Sequence, residues 1–291
     1  MQFKIMEDTS RSMGVGPVES ETILRWEDIA YPKVSFGEIE NVLETILISN
    51  DTGAQKVLAV LEEEVKDNDS LGIGLFVGSG GLASFLSALP VEVCLVVDKN
   101  IAVLNFSEAV LRAIKDNSSP TGAMAWLSSE DCLRQTPGLA KLVENLRPFF
   151  DGGSSGIISR FFAKEAVSYG RFHWTDPEAY SRSRKRLRET EIVHVAADIV
   201  DAALLRAIRA QALSANRQIE LANLTNIHQW SLGEREDMSF LSQLPFSPES
   251  FIVFSDHQGK RPGDEPGMRQ VRSLEDYIKW TDGKVGKGPL N

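Results

Sequence analysis

Gly78, Ser79, Gly80 and Gly81 make a turn with almost no side-chain bulk, and Asp98 follows about twenty residues later. Gly78 to Ala83 satisfies G-x-G-x-x-A, the glycine fingerprint that goes with such an acid. Missing Cβ atoms let a backbone approach a ligand closely, and a helix opening directly after the turn favours electron-rich groups. A carboxylate at the tip of the next strand can accept hydrogen bonds from a pair of ribose hydroxyls. Lys99 shares that position with Asp98. Two more polar sites follow apolar runs: Asp198, and the segment Asn223-Leu224-Thr225-Asn226. His228 is a candidate base beside that segment, and its other reading is a structural histidine packed on Trp230. His173, next to Trp174, has the same two readings, and His257 follows a later apolar run on a possible substrate side.

The elements that must position these residues alternate. Ile73 to Val77 is a short, continuous apolar run, the mark of a strand buried on both faces. Leu82, Phe85, Leu86 and Leu89 recur at helical spacing until Pro90, and Val91 to Val97 forms a second strand ending at Asp98. Asn100 caps a helix reaching about Lys115. Ile192 to Ala197, Ile219 to Leu224 and Phe251 to Ser255 read as three further strands, with helices at Asp201 to Leu213 and from Ser231 to Leu244. The alternation implies an α/β, doubly wound, mostly parallel sheet with helices on both faces.

Before this core, residues 1 to 51 form a polar arm and a helix. Ser35 to Glu38 caps that helix, and Phe36, Ile39, Val42, Leu43, Ile46 and Leu47 give its stripe. Thr52 caps a second helix, Val57 to Val65, at the start of a domain running from 52 to 291. Regular alternation lapses at about 117 to 177. Leu139 to Leu146 reads as a short helix and the rest as turn-rich, with aromatics at Trp126, Phe149, Phe150, Phe161, Phe162, Tyr169 and Phe172. Such an insertion is either a lid over a ligand crevice or packing that thickens one edge of the fold. A helix from Asp176 to Thr190 then carries a dense basic cluster, Arg182, Arg184, Lys185, Arg186 and Arg188. A solvated face is its ordinary reading, and contact with an anionic substrate or partner the other.

Composition narrows the function classes. Of 291 residues, 42% are apolar and 25% charged, as in ordinary soluble domains, and the net charge of −10 repels nucleic acid and anionic membranes. Leu71 to Val91 lacks charge over a span-like length, but its five glycines, Pro90 and Glu92 argue against a membrane helix. The N-terminus lacks the basic start and apolar run of a signal peptide, so a cytoplasmic location is expected. Cys94 and Cys132 supply neither a disulfide framework nor metal-ligand spacing, and no metal is expected.

With the glycine turn, Asp98, Asp198 and Asn223 to Asn226 all following strands in this order, the chain resembles the class I S-adenosylmethionine-dependent methyltransferases. The resemblance spans about residues 52 to 258. It implies that Gly78, Ser79, Gly80 and Gly81 face the methionine part of the cofactor and that Asp98 binds the ribose hydroxyls. It further implies that Asp198 binds the adenine amino group, and that Asn223, Thr225 and Asn226 face the transferable methyl. The acceptor is expected to be a small molecule, with Asn226 and His228 as catalytic candidates. Family members usually carry an acid two positions before the first glycine, where this chain has Phe76. An NAD(P)-dependent oxidoreductase also accounts for the turn and Asp98, although no Tyr-x-x-x-Lys pair accompanies them. A binding module that kept the fold and lost catalysis is the third reading, favoured by Phe76.

Overall fold

The computed structural model describes residues 53–67, 70–78, 81–147, 153–225, 238–256, 267–271 and 273–285. The arm and helix expected within 1 to 51 lie outside them. The sheet holds β1 (Leu71–Val77), β2 (Val91–Asp98), β3 (Glu191–Ala196), β4 (Ile219–Asn223), β5 (Phe246–Asp256) and β6 (Gly267–Val271). Their order is β3-β2-β1-β4-β5-β6, with five parallel strands and β6 antiparallel to β5. The fold is doubly wound α/β, as the alternation predicts. The antiparallel edge strand is additional, and β5 is longer than the run from Phe251 to Ser255.

Ten α-helices accompany the described strands: α1 (Ala54–Glu64), α2 (Leu82–Ala88), α3 (Ile101–Asp116), α4 (Pro120–Leu127), α5 (Glu130–Gln135), α6 (Pro137–Leu146), α7 (Gly153–Tyr169), α8 (Pro177–Glu189), α9 (Ala202–Ser214) and α10 (Leu274–Val285). Alternation of side chains along a strand sends Phe76, Cys94, Val96 and Leu221 to one face of the sheet, where α1 to α8 form one core with them. Ile73, Leu75, Val93, Leu95 and Val97 point the other way, onto α9, α10 and Leu241. The first helix starts one residue later than its expected Thr52 cap, with Gly53 at the N-cap. Asn100 caps α3 as its sequence predicts, its side chain accepting from the Ala102 amide at 2.9 Å.

The insertion departs most from expectation. The helix α6 matches the one expected at Leu139 to Leu146, but α4, α5 and α7 form where turns are expected, with tight caps such as Ser119 and Ser129, whose hydroxyls accept from the Gly122 and Cys132 amides. The insertion's described aromatics are buried in the core or, as Trp126 and Phe161, packed against it. Phe162, Tyr169, Phe172 and Trp174 are buried, and Phe162 lies 4.8 Å from Trp174 and 6.0 Å from Phe106 of α3, ring centre to ring centre. Phe149 and Phe150 lie outside the described residues. Packing on the sheet's first face is therefore the part of the insertion's role that the described residues display. No described helix is long and apolar enough to cross a membrane.

Candidate functional site

Parallel strands deliver their C-terminal residues to one edge, and most of the sequence-derived candidates stand there. Gly78 follows β1 with φ of +79°, and its amide donates to the Val97 carbonyl at 2.9 Å, tying the turn to β2. Gly81 has φ of +67° and is the N-cap of α2, its carbonyl accepting from Ser84 and Phe85. Both positions use the left-handed region that glycine enters without a Cβ penalty. Ser79 and Gly80 lie outside the described residues.

Asp98 ends β2, beside Ala196 at the end of β3. Its Oδ1 accepts from the Asn100 amide at 2.6 Å, and no other described group donates to the carboxylate. Burial pushes its pKa up to about 6. The Asn100 amide and then Lys99 oppose that rise, and Asp198 adds to it. Lys99 and Asp198 are exposed and approach to 3.9 Å, a solvent-screened pair that holds little energy. The sheet thus brings Asp98, Lys99 and Asp198 together.

Asn223 ends β4 directly beside Phe76 of β1, so the segment after β4 emerges next to the glycine turn. The Asn223 carbonyl oxygen, Oδ1, accepts from the Thr225 amide at 3.2 Å. Thr225 is fully buried, and its hydroxyl has no hydrogen-bond partner among the described residues. Asn226, His228 and His257 lie outside the described residues. Phe76, two residues before Gly78, turns into the core and meets Phe85 edge-on at 5.5 Å.

Sequence reasoning missed what approaches Gly81. The Tyr169 hydroxyl at the end of α7 fills the space of a side chain there: a Cβ on Gly81 would sit 2.0 Å from it. Behind this contact is a buried polar cluster. His173 Nε2 meets Glu165 at 3.1 Å, and His173 Nδ1 meets the Thr175 hydroxyl at 2.7 Å. The Thr175 amide also donates to Nδ1, so Nδ1 is the acceptor and Nε2 carries the proton given to Glu165. His173 is inaccessible, which makes it a packed, satisfied histidine. One signal marked Glu165: Ile158, Phe162, Glu165 and Tyr169 lie at helical spacing, putting an acid in an apolar stripe. A cavity of about 20 Å³, room for one water, adjoins Gly81, Glu165 and Trp174.

Among the described residues no group of three His, Cys, Asp or Glu side chains could hold a metal ion. No protein-family model matches the chain, and no curated protein matches it.

Proposed function

We propose that the chain is a cytoplasmic S-adenosylmethionine-dependent methyltransferase acting on a small molecule. The observation that carries this reading is the convergence of the Gly78 turn, Asp98 and Asn223 at the carboxyl edge of three adjacent parallel strands, where open α/β sheets bind ligands. The residues fit such a cofactor in two respects. Asp98 keeps one carboxylate oxygen without a described donor, suited to ribose hydroxyls, and the buried Thr225 hydroxyl has no described partner.

In this reading Asp98 holds the ribose, Asp198 the adenine amino group, and Gly78 to Gly81 the amino-acid part. Asn223, Thr225 and Asn226 orient the acceptor, and His228 takes its proton where it arrives protonated. The bound cofactor supplies an electrophilic methyl group on a sulfonium. The net charge of −10 favours a small acceptor over a polyanion.

Phe76 favours a second reading, a binder without turnover, because the usual acid before the turn is replaced by a ring committed to the core. Calorimetry with S-adenosylmethionine, S-adenosylhomocysteine, NAD and NADP tests the assignment. A ligand at a hundred times its Kd stabilises the fold by about 2.7 kcal/mol, which a melting scan resolves. Binding of NAD alone overturns the proposal. Binding of S-adenosylmethionine with no labelled methyl passed to any acceptor in a cell extract favours the second reading.

A further inference from the structure

The basic cluster of α8 opens onto a cleft at the opposite, amino-terminal edge of the sheet. This cleft of about 520 Å³ lies where β1, β2 and β3 begin, between α8 and the end of α1, and its volume is that of a small-molecule site. Two guanidiniums form its wall. Arg182 Nε donates to the Ser87 carbonyl and Arg186 Nη1 to the Leu86 carbonyl, each at 2.9 Å, so both are pinned to the last turn of α2.

Capping α2 accounts for only part of this charge. A helix C-terminus amounts to about half a negative charge, whereas two guanidiniums and Lys185 bring three positive ones. Each arginine spends one N–H on a main-chain carbonyl out of five in its fork. The cleft's acids are largely taken by other cations. Glu62 pairs with Arg171 at 2.7 Å, and Glu92 pairs with Arg217 at 2.7 Å while accepting from the Ser70 hydroxyl. Glu189 remains, and Arg182 reaches only the solvent-facing Glu178, at 3.9 Å. Lys185 and Arg186 form no ion pair with any described residue. Burial first, then neighbouring Arg182, lowers the Arg186 pKa from its ordinary value, with Glu62 and Glu189 opposing the fall.

We propose that this cleft binds the phosphate group of a small ligand, held by the free N–H groups of Arg182 and Arg186 and by Lys185. Planar guanidinium forks match phosphate oxygens two at a time, and fixing them in advance on α2 lowers the entropy cost of doing so. The site lies across the sheet from Asp98 and does not depend on methyl transfer.

Titration calorimetry of the full chain with pyrophosphate, at constant ionic strength in chloride, tests it. Saturable binding is expected with a Kd of about 1 mM or tighter. Lys185→Gln should weaken it about tenfold without moving the melting temperature in phosphate-free buffer, since Lys185 makes no described hydrogen bond. Arg186→Lys, which keeps the charge and loses the fork, should weaken it less than Lys185→Gln combined with Arg182→Lys. Arg206→Gln on α9, across the sheet, should change nothing. Absence of saturable binding overturns the proposal. Equal losses in Lys185→Gln and Arg206→Gln, or unchanged binding in Lys185→Gln, overturn it as well.

Discussion

The Tyr169 hydroxyl occupies the space beside Gly81 that a side chain would take. Gly81→Ala therefore meets two costs, a left-handed backbone of about 1 to 2 kcal/mol and an overpacked contact of about 1 to 3 kcal/mol. Gly53 has φ of +78° and nothing within 4 Å, so Gly53→Ala meets only the first. Urea unfolding of both variants should show Gly81→Ala losing at least twice as much stability. Equal losses would mean that Tyr169 does not press on the turn.

Asp98 gives a pH signature. Its carboxyl has a folded pKa of about 6, above the ordinary value, so the folded state holds the proton more tightly than the unfolded chain. The stability this confers is complete below about pH 4 and is lost as pH rises through about 6. Asp98→Asn should thus match the parent near pH 4 and exceed it at pH 7 by on the order of 2 kcal/mol without ligand. A difference between the two melting curves that is flat across this window would contradict the buried carboxylate.

The same side chain is expected to cost affinity when removed. Asp98→Ala should weaken S-adenosylmethionine binding by about 1 to 3 kcal/mol, with Asp98→Asn between it and the parent. Because the ionised form is the better acceptor for hydroxyls, parent affinity should fall as pH drops below about 6. Calorimetry at pH 5 and pH 7.5 on the parent and on a folded Asp98→Ala protein decides this, and an affinity unchanged by the substitution moves the ribose contact elsewhere.

Thr225→Val removes a buried hydroxyl that has no partner among the described residues while keeping its shape. The ligand-free protein should gain about 1 kcal/mol, measured by denaturant midpoint, since an unmade hydrogen bond in the interior is a cost. Cofactor or acceptor binding should weaken in the same variant. A stability loss would reveal that the hydroxyl is already satisfied.

Glu165→Ala should cost about 3 kcal/mol by leaving the His173 Nε2 proton buried without an acceptor. Glu165→Gln, whose carbonyl oxygen can still accept that proton, should retain most of the stability. Near-equal melting temperatures for the two variants would show that the bond carries no weight.

The legible parts of this molecule were those whose causes are local. A both-faces-buried strand reads as an unbroken apolar run, which is why β1 and β2 and the position of Asp98 could be placed from residues 71 to 98 alone. Asn100 caps through a side chain two residues from its target, so its role was readable too. The helix α7 was hidden for the converse reason: it opens on Gly153-Ser154-Ser155-Gly156, a turn-like run, and apolar and polar residues are mixed around its circumference. The edge strand Gly267–Val271 is held by pairing with β5 and has no alternation of its own to announce it. Likewise nothing near residue 81 signals Tyr169, because the contact joins positions far apart in sequence.

The neighbours of β1 have a consequence for how the chain is made. One edge of this uncharged strand pairs with β2, which follows at once, but Ile73 and Leu75 meet Ile219 and Ala222 on the other. During synthesis the N-terminal part emerges first, and the centre of the finished sheet is then a bare edge with unpaired amides and carbonyls. It stays so until β4 has left the ribosome. Chains cut short before Ile219 expose that edge permanently, and self-association through it is their expected fate.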